Sequence, residues 1–123
     1  MRSCLIVDDS PVVRRVARRM LEGLSFAVRE AEHGQAGLEA CAAELPDAIL
    51  LDWNMPVMNG IDFLRALRQT DGGQAPYVVF CTTENDVRHM QEAIEAGAND
   101  YIIKPFDRTL LDEKLSRAVV AVA

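Results

Sequence analysis

Apolar residues in this chain form short runs that alternate with longer stretches of helical spacing. Ser3-Cys4-Leu5-Ile6-Val7 is a compact run that stops at Asp8. Residues 11–24 follow, with Val13, Val16, Ala17, Met20, Leu21 and Leu24 recurring three or four apart on one stripe. Ser10 is placed to cap this helix. Pro11 suits its first position, where no amide hydrogen is needed, and Gly23 marks its end. Ala27–Glu32 reads as a weaker, more polar strand. A helix over about 35–44 comes next, broken by Pro46. Ala48-Ile49-Leu50-Leu51 is an uninterrupted apolar run that stops at Asp52, as in a strand covered on both faces. Residues 54–60 carry turn chemistry, and Ile61, Phe63, Leu64 and Leu67 mark a helix over 61–69. Tyr77–Cys81 is a fourth strand ending at Thr82, and a helix over 86–96 is stopped by Gly97. Tyr101-Ile102-Ile103 is a fifth strand ending at Lys104-Pro105. Asp107 is placed to cap a last helix with Leu111, Leu115, Ala118 and Val122 on one side.

Five strand–helix units imply an α/β fold, a five-stranded parallel sheet with right-handed crossovers flanked by five helices. In such a sheet every strand's carboxyl end reaches one edge, and ligands bind in the crevice there. Asp8 and Asp9 follow strand one, Asp52 strand three, Thr82 strand four and Lys104 strand five. Strand two ends in Glu32-His33-Gly34 and adds no obvious partner; its polar make-up fits a sheet edge. The order 2-1-3-4-5 accommodates both facts.

Composition narrows the function. At 123 residues, half of them apolar, residues 1–123 form one domain, and no separate DNA-reading domain fits. With 13 Lys+Arg against 19 Asp+Glu the net charge is −6, which disfavours direct nucleic-acid binding. No apolar run approaches the ~20 residues of a membrane span, and nothing at the N-terminus suggests export. Cys4, Cys41 and Cys81 are odd in number and lack zinc spacing, so they read as thiols in a reducing, cytoplasmic compartment. The acidity also matters locally. Asp8, Asp9 and Asp52 would repel one another on one rim unless a cation joined them. Mg²⁺ takes oxygen ligands of this kind, and a backbone carbonyl near Asn54 offers another. Lys104 adds a fixed positive charge, and Thr82 and Thr83 add hydroxyl donors. A carboxylate nucleophile with these neighbours suits phosphoryl transfer.

Four motifs then match a family in order and over the whole chain. Val7-Asp8-Asp9-Ser10, Leu51 through Gly60, Cys81-Thr82-Thr83-Glu84 and Tyr101 through Phe106 resemble the CheY-like receiver domains of two-component response regulators. The resemblance implies that Asp52 accepts a phosphoryl group from a histidine kinase or phosphotransferase. It implies Asp9 as the main Mg²⁺ ligand, Asp8 holding metal waters, and Asn54 ligating through its carbonyl. Thr82 becomes the switch hydroxyl, Lys104 the partner of the phosphoryl group, and Tyr101 an aromatic that turns inward as Thr82 moves. The Lys104–Pro105 bond is expected cis. Glu84 and Pro105 belong to the motifs as secondary positions. Thr83 departs from the small residue usual there and narrows access to the site.

Further expectations follow from the resemblance. Phosphorylation changes affinity for a downstream protein through a face that includes Arg88, His89, Glu92, Tyr101 and Arg108. The first helix, with Arg14, Arg15, Arg18 and Arg19 in two basic rows, is a candidate docking face for the kinase. His33 and His89 read as surface residues. The protein is expected to be a monomer, a phosphoacceptor switch rather than an enzyme, and, from its finished last helix, a stand-alone regulator. Its place in a relay, or as a receiver cut from a longer regulator, is the alternative. A haloacid-dehalogenase-type hydrolase would need Asp-x-Asp after strand one. An FMN carrier would need a Ser/Thr/Gly-rich loop where Asp8-Asp9 stands.

Overall fold

The computed structural model describes residues 2–83 and 87–122, with side chains described through residue 118. Each apolar run becomes a strand and each three-four pattern a helix. In chain order these are β1 (Ser3–Val7), α1 (Pro11–Gly23), β2 (Ala27–Ala31), α2 (Gly34–Ala43) and β3 (Ala48–Asp52). After them come α3 (Gly60–Arg68), β4 (Tyr77–Thr82), α4 (Val87–Ala96), β5 (Asp100–Ile103) and α5 (Arg108–Val122). The strands form one sheet in the order β2-β1-β3-β4-β5. Every pairing is parallel, and the register aligns Val7, Leu51, Phe80 and Tyr101 in one row across four strands.

Alternation within the strands divides the core in two. Leu5, Val7, Ile49, Leu51, Val78 and Phe80 face Phe63, Leu64, Leu67 and Ala93 on the α3–α4 side. Cys4, Ile6, Leu50, Val79 and Cys81 face Ala17, Leu21, Leu111 and Leu115 on the α1–α5 side. The central strands are buried on both faces, which is why their sequences lack polar alternation. All three cysteines are free and buried, and burial pushes the Cys4 thiol up to about 12.

Local chemistry sets the helix starts. Ser10 Oγ accepts from the Val13 amide at 3.2 Å, Asn59 Oδ1 from Asp62 at 2.9 Å, and Asp107 Oδ1 from Leu110 at 2.8 Å. His33 corrects an expectation. It is no idle surface residue, because its Nδ1 accepts from the Ala36 amide at 3.1 Å and starts α2 one residue early, at Gly34.

Helix α1 corrects two more. Val16 leaves the core stripe and is 48% exposed beside Val12 at 64%, because α1 buries only the narrow Ala17–Leu21 seam. The basic rows also divide. Arg14 Nε meets Glu30 Oε1 at 3.0 Å, and Arg18 Nε meets Glu30 Oε2 at 2.6 Å. Arg18 also reaches Glu22 at 3.2 Å. These pairs stitch the polar edge strand β2 to α1. Arg15 and Arg19 stay exposed, with no ion pair among the described residues.

The Arg18 hydrogen bond holds the Glu30 carboxyl below its ordinary value of 4.5, against an opposing effect of burial. The unfolded chain binds the proton more readily. The pair's stabilisation is therefore complete above pH 4.5 and is lost as pH falls through the lowered folded value. Glu30→Gln is expected to lower stability at pH 7 by at most about 1 kcal/mol, as for exposed ion pairs. Thermal melts should show that difference shrinking in acid and in high salt.

Candidate functional site

Parallel pairing continues one residue past β1 and β5, and this aims the polar side chains. The Asp8 amide donates to Ala31 O at 3.1 Å, and the Lys104 amide donates to Thr82 O at 2.8 Å. Asp8 is 4% exposed, and its Oδ1 accepts from the Ser10 amide at 2.9 Å. Arg14, already paired with Glu30, donates to the Asp8 carbonyl at 2.6 Å. Asp52 closes β3 with its side chain 13% exposed. Lys104 Nζ donates to Asp8 Oδ2 at 2.9 Å and to Asp52 Oδ1 at 3.0 Å. One carboxylate oxygen each from Asp8, Asp9 and Asp52 lies within 4.8 Å of the others.

The electrostatics of this cluster are unbalanced. Burial most of all, with repulsion from Asp8, raises the Asp52 carboxyl above its ordinary value against the pull of Lys104. Burial alone would lower Lys104, but its hydrogen bonds to Asp8 and Asp52 outweigh that and raise it. Lys104 is thus a firm ammonium, yet it is one positive charge against three carboxylates. Oxygen-only donors with an unmet negative charge fit a hard divalent cation such as Mg²⁺. Asp9 and Asn54 are exposed at the rim, where each is open to solvent.

The loop from Trp53 to Gly60 folds back on the end of β3. The Gly60 amide donates to Trp53 O at 2.9 Å. A Cβ on Gly60 would stand 2.2 Å from the Asp52 carbonyl oxygen, so only glycine allows this approach. At the loop's tip the Met58 amide donates to Pro56 O at 2.7 Å across Val57, whose φ is 68°. A three-residue turn with a left-handed centre is strained, and for a β-branched residue such strain is of order 1–3 kcal/mol. The Gly34 amide donates to Met58 O at 3.1 Å, and a Cβ on Gly34 would meet that oxygen at 2.7 Å.

The other expected residues fall around this centre. Thr82 is 3% exposed, while Thr83 is exposed. Tyr101 is 9% exposed within the α3–α4 core, so its side chain already occupies an inward position here. The Lys104–Pro105 bond is cis, and Pro105 is exposed. Glu84 lies outside the described residues.

Two positions differ from expectation. Arg108 turns away from the α4 face and donates to Gly23 O at 2.9 Å, at the end of α1. His89 is not a plain surface residue. Its ring centroid lies 3.8 Å from that of Trp53, which also tilts against Phe80 at 4.6 Å, and its Nε2 is buried without a hydrogen-bond partner. This contact ties α4 to the residue after Asp52. Sequence spacing could not pair residues so far apart. A groove of about 370 Å³ beside Lys104 and Thr83 is walled by Val12, Val16, Met20 and Phe106.

Comparison with known proteins agrees with this geometry. The family model of the response regulator receiver domain matches residues 4–116. Chemotaxis protein CheY1 of Helicobacter pylori is 39% identical over 113 residues, covering 90% of this chain and 91% of that protein. Chemotaxis protein CheY of Pseudomonas aeruginosa is 38% identical over 114 residues, covering 92% of each. The structure of Vibrio cholerae CheY4 superposes with a TM-score of 0.91 at 31% identity, covering 96% of this chain and 98% of that one. The receiver domain of a Pseudomonas aeruginosa sensor histidine kinase superposes with a TM-score of 0.90 at 29% identity, covering 97% and 98%. That structure has a magnesium ion coordinated in its active-site cleft.

Trp53 is the only tryptophan and adjoins Asp52. Mg²⁺ titration is therefore expected to change its emission with half-saturation in the millimolar range. Asp9→Asn should weaken that binding by roughly tenfold, as expected when a charged oxygen ligand is lost. A flat wild-type titration would count against a metal at these residues.

Proposed function

The chain belongs to the response regulator receiver family, and we propose that it is a phosphoacceptor switch charged at Asp52 by a histidine kinase or histidine phosphotransferase. The carrying observation is the Lys104 ammonium shared by Asp8 and Asp52 beside a three-carboxylate cluster. An Asp52 carboxylate oxygen attacks the phosphorus of a phosphohistidine. The new P–O bond forms as the P–N bond breaks, and the imidazole nitrogen leaves with the electron pair. Asp8, Asp9, Asp52 and the Asn54 carbonyl would hold Mg²⁺, which would supply positive charge to offset that of the phosphoryl oxygens. Lys104 adds its own positive charge and needs to move little, since it already touches Asp52. Water attack on the aspartyl phosphate resets the chain. The protein promotes both steps on itself and turns over no separate substrate, so it is not an enzyme in the ordinary sense.

The new group adds about −1.5 to −2 charge, by analogy with hydroxyl phosphates. Thr82 is drawn to it, the inward position of Tyr101 is favoured, and α4 resettles against Trp53. The affinity of the α4-β5-α5 face for a downstream protein changes by population shift. Val87 at 65% exposure and Ile94 at 53% give that face an apolar centre, flanked by Arg88 and Glu92. The kinase side is the Val12–Val16 groove of α1, where Arg15 and Arg19 remain available. The CheY-type relatives are matched over nine-tenths of their length, and by analogy with them the signal is passed on by contact with another protein. We assign it to the cytoplasm as a monomer that does not bind nucleic acid directly. No helix among the described residues is long and apolar enough to cross a membrane.

Acetyl phosphate with Mg²⁺ is expected to label the wild-type protein. Asp52→Asn should abolish the label, and incorporation at the wild-type level in that variant would refute the assignment. Reversing charge at Arg15 and Arg19 together should slow transfer from a phosphorylated kinase about tenfold or more, through lost steering and contact. Labelling by acetyl phosphate should not change. Equal slowing of both reactions would show that the arginines act on the site rather than on docking.

A further inference from the structure

The outer face of α2 and α3 takes no part in the chemistry described above, and small residues leave it open. A Cβ on Gly37 would stand 2.9 Å from Phe63 Cε1, so α2 lies close against the α3 side of the core. In the last turns of the two helices the facing positions are alanines, Ala42 on α2 and Ala66 on α3. They leave a groove of about 650 Å³. Leu38, Cys41 and Leu67 form its floor, and Cys41 and Leu67 are buried. Leu45 also lines it, 38% exposed, and lies against Gly72, where a Cβ would stand 2.7 Å from its Cδ1.

The rim is acidic. Glu39, Glu44 and Asp71 stand on it, all exposed and without an ion pair among the described residues. No Lys, Arg or His is among the described residues that line it. Arg68, at the end of α3, is turned away and donates to Gly97 O at 2.8 Å, and Arg65 lies one turn earlier on that same side.

These features select an occupant. A nucleic acid or an anionic membrane would be repelled. A second copy in a two-fold contact would set the same rim against itself, acid on acid. An extended peptide needs backbone partners, and the carbonyls at these helix ends are in use. Arg29 donates to Ala40 O at 3.0 Å and to Glu44 O at 2.6 Å, and Thr70 Oγ1 donates to Leu67 O at 2.7 Å. A helix arrives with its backbone satisfied and lays an apolar stripe into such a groove. Lys or Arg beside that stripe meets the acidic rim.

We propose that the α2–α3 groove is a docking site for a basic amphipathic helix of a partner protein. Both helices run back from the carboxyl edge of the sheet, so their last turns lie toward the amino edge, away from Asp52. None of Asp8, Asp9, Asp52, Thr82 and Lys104 lines the groove. The dock is therefore occupied equally with and without a phosphoryl group, and it tethers the chain to a partner rather than reporting its state. It stands independently of the phosphoacceptor reading.

The probe is a fluorescein-labelled synthetic helix of about 16 residues, with leucines three and four apart and lysines on both flanks. Its analogue carries glutamate at each lysine position. Anisotropy titrations at low salt give Kd, and amide shifts of the isotope-labelled protein locate the contact. The lysine probe is expected to bind saturably, and the glutamate analogue at least about tenfold more weakly. Glu39→Lys with Asp71→Lys should weaken the lysine probe about tenfold. Ala42→Gln fills the groove without changing its charge and should weaken it by a similar factor of about ten. All three positions are exposed, so the thermal midpoints should stay at the wild-type value. Amide shifts should centre on residues 35–45 and 66–71. Acetyl phosphate with Mg²⁺, at constant ionic strength, should leave Kd unchanged. Absence of saturable binding, equal binding of the two probes, or an unchanged Kd in either variant overturns the proposal. So do shifts centred on α1 or α4, or a Kd moved by acetyl phosphate. Self-association in sedimentation that Ala42→Gln abolishes also overturns it, by assigning the groove to a second copy.

Discussion

The Lys104 ammonium joins the ends of three strands at one point. Its Nζ sits 2.9 Å from Asp8 and 3.0 Å from Asp52, and its backbone amide is bonded to Thr82 O. Without that charge, burial and repulsion from Asp8 would push the Asp52 carboxyl still further toward protonation and make it a poorer nucleophile. With it, Asp52 has one cationic neighbour against two anionic ones, Asp8 and Asp9. The site remains short of positive charge. A divalent cation held by the three carboxylates would supply the charge that is missing. The fold's task is to hold residues 96 positions apart within hydrogen-bond distance, which a parallel sheet does because all its strands end together.

Much of this was legible because it depends on residue type and order. Runs that stop at Asp8, Asp52, Thr82 and Lys104 mark strand ends whatever the detailed packing. A polar strand without a site residue belongs at the edge, and β2 lies there, stitched to α1 through Glu30. What was not legible depends on angle and contact. Val16 has the spacing of a core residue, yet α1 buries a seam too narrow to include it. Arg14 and Arg18 look identical to Arg15 and Arg19 in the sequence, and only the position of Glu30 separates the paired from the unpaired. Arg108 lies close in sequence to β5 but bonds to the end of α1. No residue letter announces a left-handed φ, so the strain at Val57 could not be anticipated from a Val between Pro56 and Met58.

The loop after β3 shows how a rigid edge carries a strained turn. Gly60 lets the chain lie against the Asp52 carbonyl, and Gly34 lets α2 lie against Met58. Each contact is backbone to backbone, and each would be blocked by a single Cβ. The loop is therefore fixed at both ends before any ligand arrives. That fixity places the Asn54 carbonyl and the Val57 side chain on the same short segment.

The contact between Trp53 and His89 adds a second link between the acceptor strand and α4. Thr82 leads into α4 through the β4–α4 connection, whereas Trp53 reaches it directly across the core surface, with ring centroids 3.8 Å apart. An element held by two links responds to whichever is displaced. In the proposed switch, charge on Asp52 pulls Thr82 and also disturbs the residue bonded to Asp52. Both changes bear on α4. Moving a population from about 1:99 to 99:1 needs about 5.5 kcal/mol of differential stabilisation. One hydroxyl hydrogen bond supplies only about 1 kcal/mol of this, so Thr82 alone is insufficient. The balance must come from charge-assisted bonds to Lys104 and the metal, and from repacking of Tyr101 and Trp53. Tyr101 is already only 9% exposed within the α3–α4 core, so in the proposed switch the repacking still to be gained falls mainly to Trp53 and its contact with α4.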